Sequence, residues 1–132
     1  MFVDTSALIA ILNIRDPNHE RAAEFWADAL DRGLPLTTTN YVITETTAVA
    51  QRQLGMAAVR ALTADALPVL DIRWVEPDTH GAALGALLVA NRRDLSLVDC
   101  VSFETMRQLQ INEAFVFDSD FAANGFDCLP RL

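Results

Sequence analysis

Lysine is absent from this chain: all ten basic residues are arginine, set against 18 Asp and Glu for a net charge of −8. An acidic balance of that size argues against broad, nonspecific nucleic-acid binding through a basic surface. It leaves room for a nuclease whose metal ions supply the local positive charge. Arginine alone suits phosphate or carboxylate recognition, although genomic composition bias explains it as well. Cysteine is scarce. Cys100 and Cys128 make neither a disulfide framework nor metal-ligand spacing, so a cytoplasmic protein with reduced thiols is expected. Long hydrophobic runs are missing too; the longest apolar stretches reach roughly ten residues, too short to span a bilayer. No basic segment leads into an apolar one at the start, so no signal peptide is expected. The only histidines, His19 and His80, lack a metal-ligand companion at helical or strand spacing and read as solvent-facing. Ser6 and Cys100 have no histidine in a compatible motif, which argues against nucleophilic catalysis by either.

What the chain does have is apolar residues, 52% of 132. That suffices for one domain, 1–132, burying roughly two-thirds of its unfolded surface. Strand-like and helix-like pieces alternate without repeat or linker, which predicts a parallel α/β sheet with right-handed crossovers. Strands are expected at Phe2 to Asp4, Leu34 to Thr38, within Val69 to Val75, at Ala114 to Phe117 and, at an edge, Phe126 to Leu129. Helices are expected from Thr5 to Asn13, from Asp16-Pro17 to Gly33, and from a cap at Asn40 to a break at Gly55. Further helices should run from Ala57 to a stop at Pro68, from Glu76-Pro77 onward, and from Ser96 onward. The Glu76-Pro77 helix carries Gly81, Ala82, Ala83, Gly85 and Ala86, which predicts close packing on a neighbouring helix.

Four acidic residues sit at the ends of apolar runs or the starts of helices: Asp4, Glu45, Asp99 and Asp118. Each has an ordinary explanation alone. Asp4 could cap a helix, Glu45 could answer a helix dipole, Asp99 lies three residues after Ser96 as in a capping box, and Asp118-Ser119-Asp120 could form an Asx turn. Together they say more. A carboxylate at the buried tip of a strand is costly without a partner, and strand tips of one parallel sheet converge on a single crevice. The usual partner of an acidic pocket is a hard cation such as Mg²⁺ or Mn²⁺.

These segments resemble the motifs of PIN-domain nucleases. Phe2-Val3-Asp4-Thr5-Ser6 is similar to their first motif and Thr37 to Glu45 to their second. Leu95-Ser96-Leu97-Val98-Asp99 is similar to the third, and Phe117-Asp118-Ser119-Asp120-Phe121 with Gly125-Phe126 to the fourth. Order and spacing agree along the whole chain, and the length is similar to that of VapC toxins, ribonucleases of toxin–antitoxin pairs. The resemblance implies a single-domain α/β/α sandwich around a central parallel sheet. It implies a Mg²⁺- or Mn²⁺-dependent endoribonuclease leaving 5′-phosphate and 3′-hydroxyl ends, a homodimer, and a cognate antitoxin. By position, Asp4, Glu45, Asp99 and Asp118 match the acidic quartet, and Ser6 and Ser96 the small polar residues beside it. Asp120 is an additional acid, and either Asp118 or Asp120 could stand closer to the metal.

On this reading Asp4 and Asp99 are the primary metal ligands. Glu45 and Asp118 complete the site or orient the attacking water, and Ser6 and Ser96 hold the carboxylates. A phosphohydrolase with an aspartyl nucleophile is the first rival, weakened because its Asp-x-Asp pair belongs after the first strand, where Asp4-Thr5-Ser6 stands. A PIN-like binding scaffold with a vestigial pocket is the second; a lost carboxylate would have favoured it, and none is lost.

Overall fold

The computed structural model describes residues 1–131; Leu132, the last position of the expected 1–132 domain, lies outside the described residues. Five parallel strands form the sheet in the order β3-β2-β1-β4-β5. They are β1 (Phe2–Val3), β2 (Thr37–Thr39), β3 (Asp71–Arg73), β4 (Glu113–Phe115) and β5 (Asp127–Leu129). Among the described residues, the helices are α1 (Thr5–Leu12), α2 (His19–Asp31), α3 (Asn40–Gln53), α4 (Met56–Ala61), α5 (Pro77–Ala90), α6 (Leu97–Leu109) and α7 (Ser119–Ala123).

β1 is central, and both its residues are fully buried, as a strand covered by helices on both faces requires. Phe2, Leu8, Val42, Met106, Phe115 and Phe121 form the core around it. From β1 the chain steps to β2 and β3 on one side, then returns to β4 and β5 on the other. The order reverses between β1 and β4, and in open α/β sheets ligands bind in the crevice beyond the carboxyl ends at such a reversal.

Several expected boundaries shift for physical reasons. β2 lies at Thr37–Thr39 rather than Leu34 to Thr38, and all three threonines are buried. Thr38 is tolerated at 0% exposure because its hydroxyl donates to the Val3 carbonyl at 2.8 Å. Thr38→Val keeps the shape and removes that bond, so it should destabilise the fold by about 1 kcal/mol in urea melts. The expected strand over Val69 to Val75 contracts to an edge strand, Asp71–Arg73. The helix expected to run to Pro68 ends at Ala61, then widens into a π-turn over Leu62–Ala66 and a 3₁₀ turn over Leu67–Val69. Pro68 donates no amide hydrogen bond and crowds the preceding turn, which favours this loosened exit.

The Asp16-Pro17 start moves to His19: Asp16 Oδ1 accepts from the Asn18 amide at 2.8 Å, a local turn that ends at Asn18, the residue just before the helix. The Asn40 cap is Thr39, whose hydroxyl accepts from the Val42 amide; Asn40 Oδ1 instead accepts from Val75 N–H at 2.8 Å. The close packing expected of α5 is realised against α6, though Ala83 and not its glycines makes the contact. A Cβ at Gly81 or Gly85 would meet nothing within 4 Å, and α5 touches α6 through buried Ala83 beside Cys100 and Val101.

Candidate metal centre

Asp4 is both cap and pocket residue. Its Oδ2 accepts from the Ser6 amide at 3.0 Å and the Ser6 hydroxyl at 2.7 Å, starting α1 where β1 stops. The Asp4 amide donates to Phe115 O at 3.1 Å, and Phe117 N–H donates to Ser6 Oγ at 2.9 Å. One serine thus holds the first carboxylate and ties the ends of β1 and β4 together.

Glu45 reaches the same crevice from the second turn of α3. α3 is fixed to α1 by Thr46, whose hydroxyl donates to Thr5 Oγ1 at 3.2 Å, and by Thr5, whose hydroxyl donates to Val42 O. Asp99 lies in the first turn of α6, and its amide donates to the N-cap Ser96 Oγ at 3.0 Å. Asp118 caps α7, accepting from the Asp120 amide at 2.8 Å. The local capping explanations for Asp4 and Asp118 are therefore realised in the fold, as is Ser96 capping, and the same geometry converges the side chains.

Asp4, Glu45, Asp99 and Asp118 line one cavity of about 480 Å³ together with Ser6 and Ser96. Its electrostatics are those of a site short of positive charge. Burial, and next the charge of Glu45, push the Asp4 carboxyl up to about 6 despite its bonds to Ser6. Burial, and next the charges of Asp4 and Asp118, push Asp99 up to about 7. These two are also the most enclosed of the quartet, 3% and 9% exposed.

Asp99, Asp118 and Asp120 can bring carboxylate oxygens within 4.8 Å of one another. Asp120 is not among the cavity-lining residues, and Arg92 Nη2 donates to its Oδ1 at 3.1 Å. Oxygen donors with no cysteine or histidine among them are the chemistry of Mg²⁺ and Mn²⁺ rather than of zinc or copper. The donor set fits such an ion.

The cavity has walls that the sequence did not announce. Asp16, Asn18, Ile9 and Phe117 line it. Asp16 adds a fifth acid, and only its place in a Pro-containing turn could have drawn notice. The histidines lie elsewhere and are not simply solvent-facing: His19 Nδ1 donates to Ala10 O at 2.7 Å, and His80 Nδ1 pairs with the Tyr41 hydroxyl.

Residues 1–127 match the PIN domain family. The chain is 35% identical over 127 residues to the 23S rRNA-specific endonuclease VapC20 of Mycobacterium tuberculosis, covering 96% of this chain and 95% of that one. The crystal structure of VapC20, described as a sarcin-ricin loop cleaving toxin, superposes with a TM-score of 0.83 at 35% identity over 95% of each chain. FitAcB from Neisseria gonorrhoeae shares the fold at 16% identity, with a TM-score of 0.69 over 98% of this chain and 96% of that one.

Proposed function

This chain belongs to the PIN domain family, and from that premise we propose that it is a metal-dependent endoribonuclease, the toxin of a toxin–antitoxin pair. The observation that carries the reading is the convergence of Asp4, Glu45, Asp99 and Asp118 on one cavity from four separate stretches of chain.

Asp4 and Asp99 are the primary ligands of a Mg²⁺ or Mn²⁺ ion, with Asp118 and Glu45 completing its surroundings. Bound there, such an ion supplies Lewis acidity toward the phosphate and lowers the pKa of water. The protein's part is to hold the donors. Ser6 and Ser96 orient Asp4 and Asp99, and Glu45, half-buried in the cavity wall, would receive the proton of the attacking water. Asp120 pairs with Arg92 and its amide holds Asp118 Oδ1, so it positions Asp118 rather than ligating. RNA is the substrate, and the 35% identity to VapC20 makes a ribosomal RNA loop the first one to assay. The whole chain acts as one domain in the cytoplasm, and an antitoxin blocks the cavity with an arginine in bidentate pairing. The active form is a homodimer. The exposed apolar side chains Leu84, Leu88 and Val89 of α5 offer surface for a second copy.

The reading is tested by incubating purified protein with ribosomal RNA in Mn²⁺ and in EDTA. Cleavage in Mn²⁺ that stops in EDTA is expected; cleavage that persists in chelator, or none in any divalent ion, contradicts it. Ser6→Ala should lower the rate about 10–100-fold, the usual loss when a ligand's supporting bond is removed. It should also destabilise the fold by about 1–3 kcal/mol, because the Phe117 amide loses its acceptor. Steady-state kinetics and thermal melts on the same variant check both.

A further inference from the structure

RNA presents a phosphate at every nucleotide, yet the cavity proposed for the reacting one is walled by carboxylates. The flanking phosphates must lie against something else, and in a chain of net charge −8 few places can take them. Arg92 beside the site is committed to Asp94 and Asp120. On the Glu45 flank, the adjoining groove of Tyr41, Thr44, Ala48 and Val98 carries no cation.

The opposite flank differs. A second cavity of about 460 Å³ adjoins the acidic one and shares Asn18, Phe117 and Asp118 with it. Arg21 and Arg131 form its far wall. Arg21 is held from two sides: its guanidinium lies 5.6 Å from the Phe117 ring centroid, and Nη2 donates to Pro130 O at 3.2 Å. Among the described residues its Nε and Nη1 make no hydrogen bond. A fixed guanidinium with unused donors is built for a phosphate oxygen, because little side-chain freedom is lost on binding. Arg131 adds charge beside it, partly offset by its ion pair with Asp127.

We propose that Arg21, seconded by Arg131, binds a backbone phosphate of the RNA one or two nucleotides from the cleaved bond. The strand then leaves the acidic cavity across Phe117 toward α2. Arg21 is a positioning residue: it sets where along the strand the reacting phosphate falls. This rests on the ribonuclease reading.

The test uses the shortest RNA oligonucleotide that the wild type cleaves in Mn²⁺, and copies carrying a single neutral methylphosphonate linkage at each position near the cleaved bond. In the wild type, one linkage within two nucleotides should raise KM about tenfold, the ordinary worth of one charge-assisted hydrogen bond. Arg21→Met should raise KM for unmodified RNA by a similar factor, and the modified RNA should then lose nothing more. Thermal melts check that the variant folds; should it not, exposed Arg131→Gln runs the same cycle. If no neutral linkage affects the wild type, or if the losses from linkage and variant multiply, the subsite is overturned while the ribonuclease reading stands. If the wild type cleaves no RNA, both fall.

Discussion

Asp99→Asn should abolish metal-dependent RNA cleavage, lowering kcat/KM by at least about 10³-fold. That factor corresponds to roughly 4 kcal/mol of transition-state stabilisation, within what a bound divalent ion contributes. The amide keeps the size of the side chain and leaves the main-chain bond from Asp99 N–H to Ser96 Oγ intact, so the loss reports charge rather than folding. Asp4→Asn should behave alike, because Asp4 lies with Asp99 in the most buried part of the cavity. Asp120→Asn should cost less than either, since the Asp120 carboxylate faces Arg92. Activity of Asp99→Asn within tenfold of wild type would remove Asp99 from the metal site. A larger loss in Asp120→Asn than in Asp118→Asn would reverse the order of that pair.

The second large effect is on stability, and its sign separates a shared metal site from unrelated helix caps. In the metal-free fold the Asp99 carboxyl is pushed up to about 7 and Asp4 to about 6, from ordinary values near 3.8. Below pH 3.8 both are protonated, folded and unfolded, and neither costs stability. As pH rises toward 7 the unfolded chain gives up protons that the folded chain retains, so the metal-free protein loses stability through that window. Discounted for the solvent that still reaches the carboxylate, the Asp99 shift corresponds to roughly 2 kcal/mol. The Asp4 contribution is not additive with it, because the two carboxylates repel one another.

Asp99→Asn in EDTA should therefore melt several degrees above wild type at pH 7.5, with the difference vanishing near pH 4. Excess Mn²⁺ should raise the wild-type melting temperature by mass action and leave the variant unmoved. If Asp99→Asn melts lower than wild type in EDTA and the wild type ignores Mn²⁺, the carboxylates are caps and nothing more.

How much of this was legible beforehand depends on the range of the interaction. The parallel sheet follows from alternating elements, and the convergence of Asp4, Asp99 and Asp118 follows from carboxylates placed at junctions that such a sheet gathers at one edge. Ser6 and Ser96 were legible because their partners lie within three residues. The strand Thr37–Thr39 was misplaced because polar residues signal a surface, and only the bond from Thr38 to Val3 across the sheet makes them a core strand. Asp16 and Ile9 reach the cavity by tertiary folding alone, and no spacing encodes that. The packing of α5 on α6 was legible in its small residues, but which of them make it was not: Ala83 is buried against α6 while Gly81 and Gly85 face open space.

The central claim is that carboxylates from distant parts of the chain hold one divalent ion. Anomalous diffraction at the manganese edge, from crystals soaked in Mn²⁺ at pH 7.5, addresses it directly. A peak about 2.1 Å from carboxylate oxygens of both Asp4 and Asp99, with Asp118 or Glu45 in contact directly or through water, is the predicted result. A peak bound to neither Asp4 nor Asp99, or an empty cavity in a crystal that holds manganese elsewhere, would contradict it.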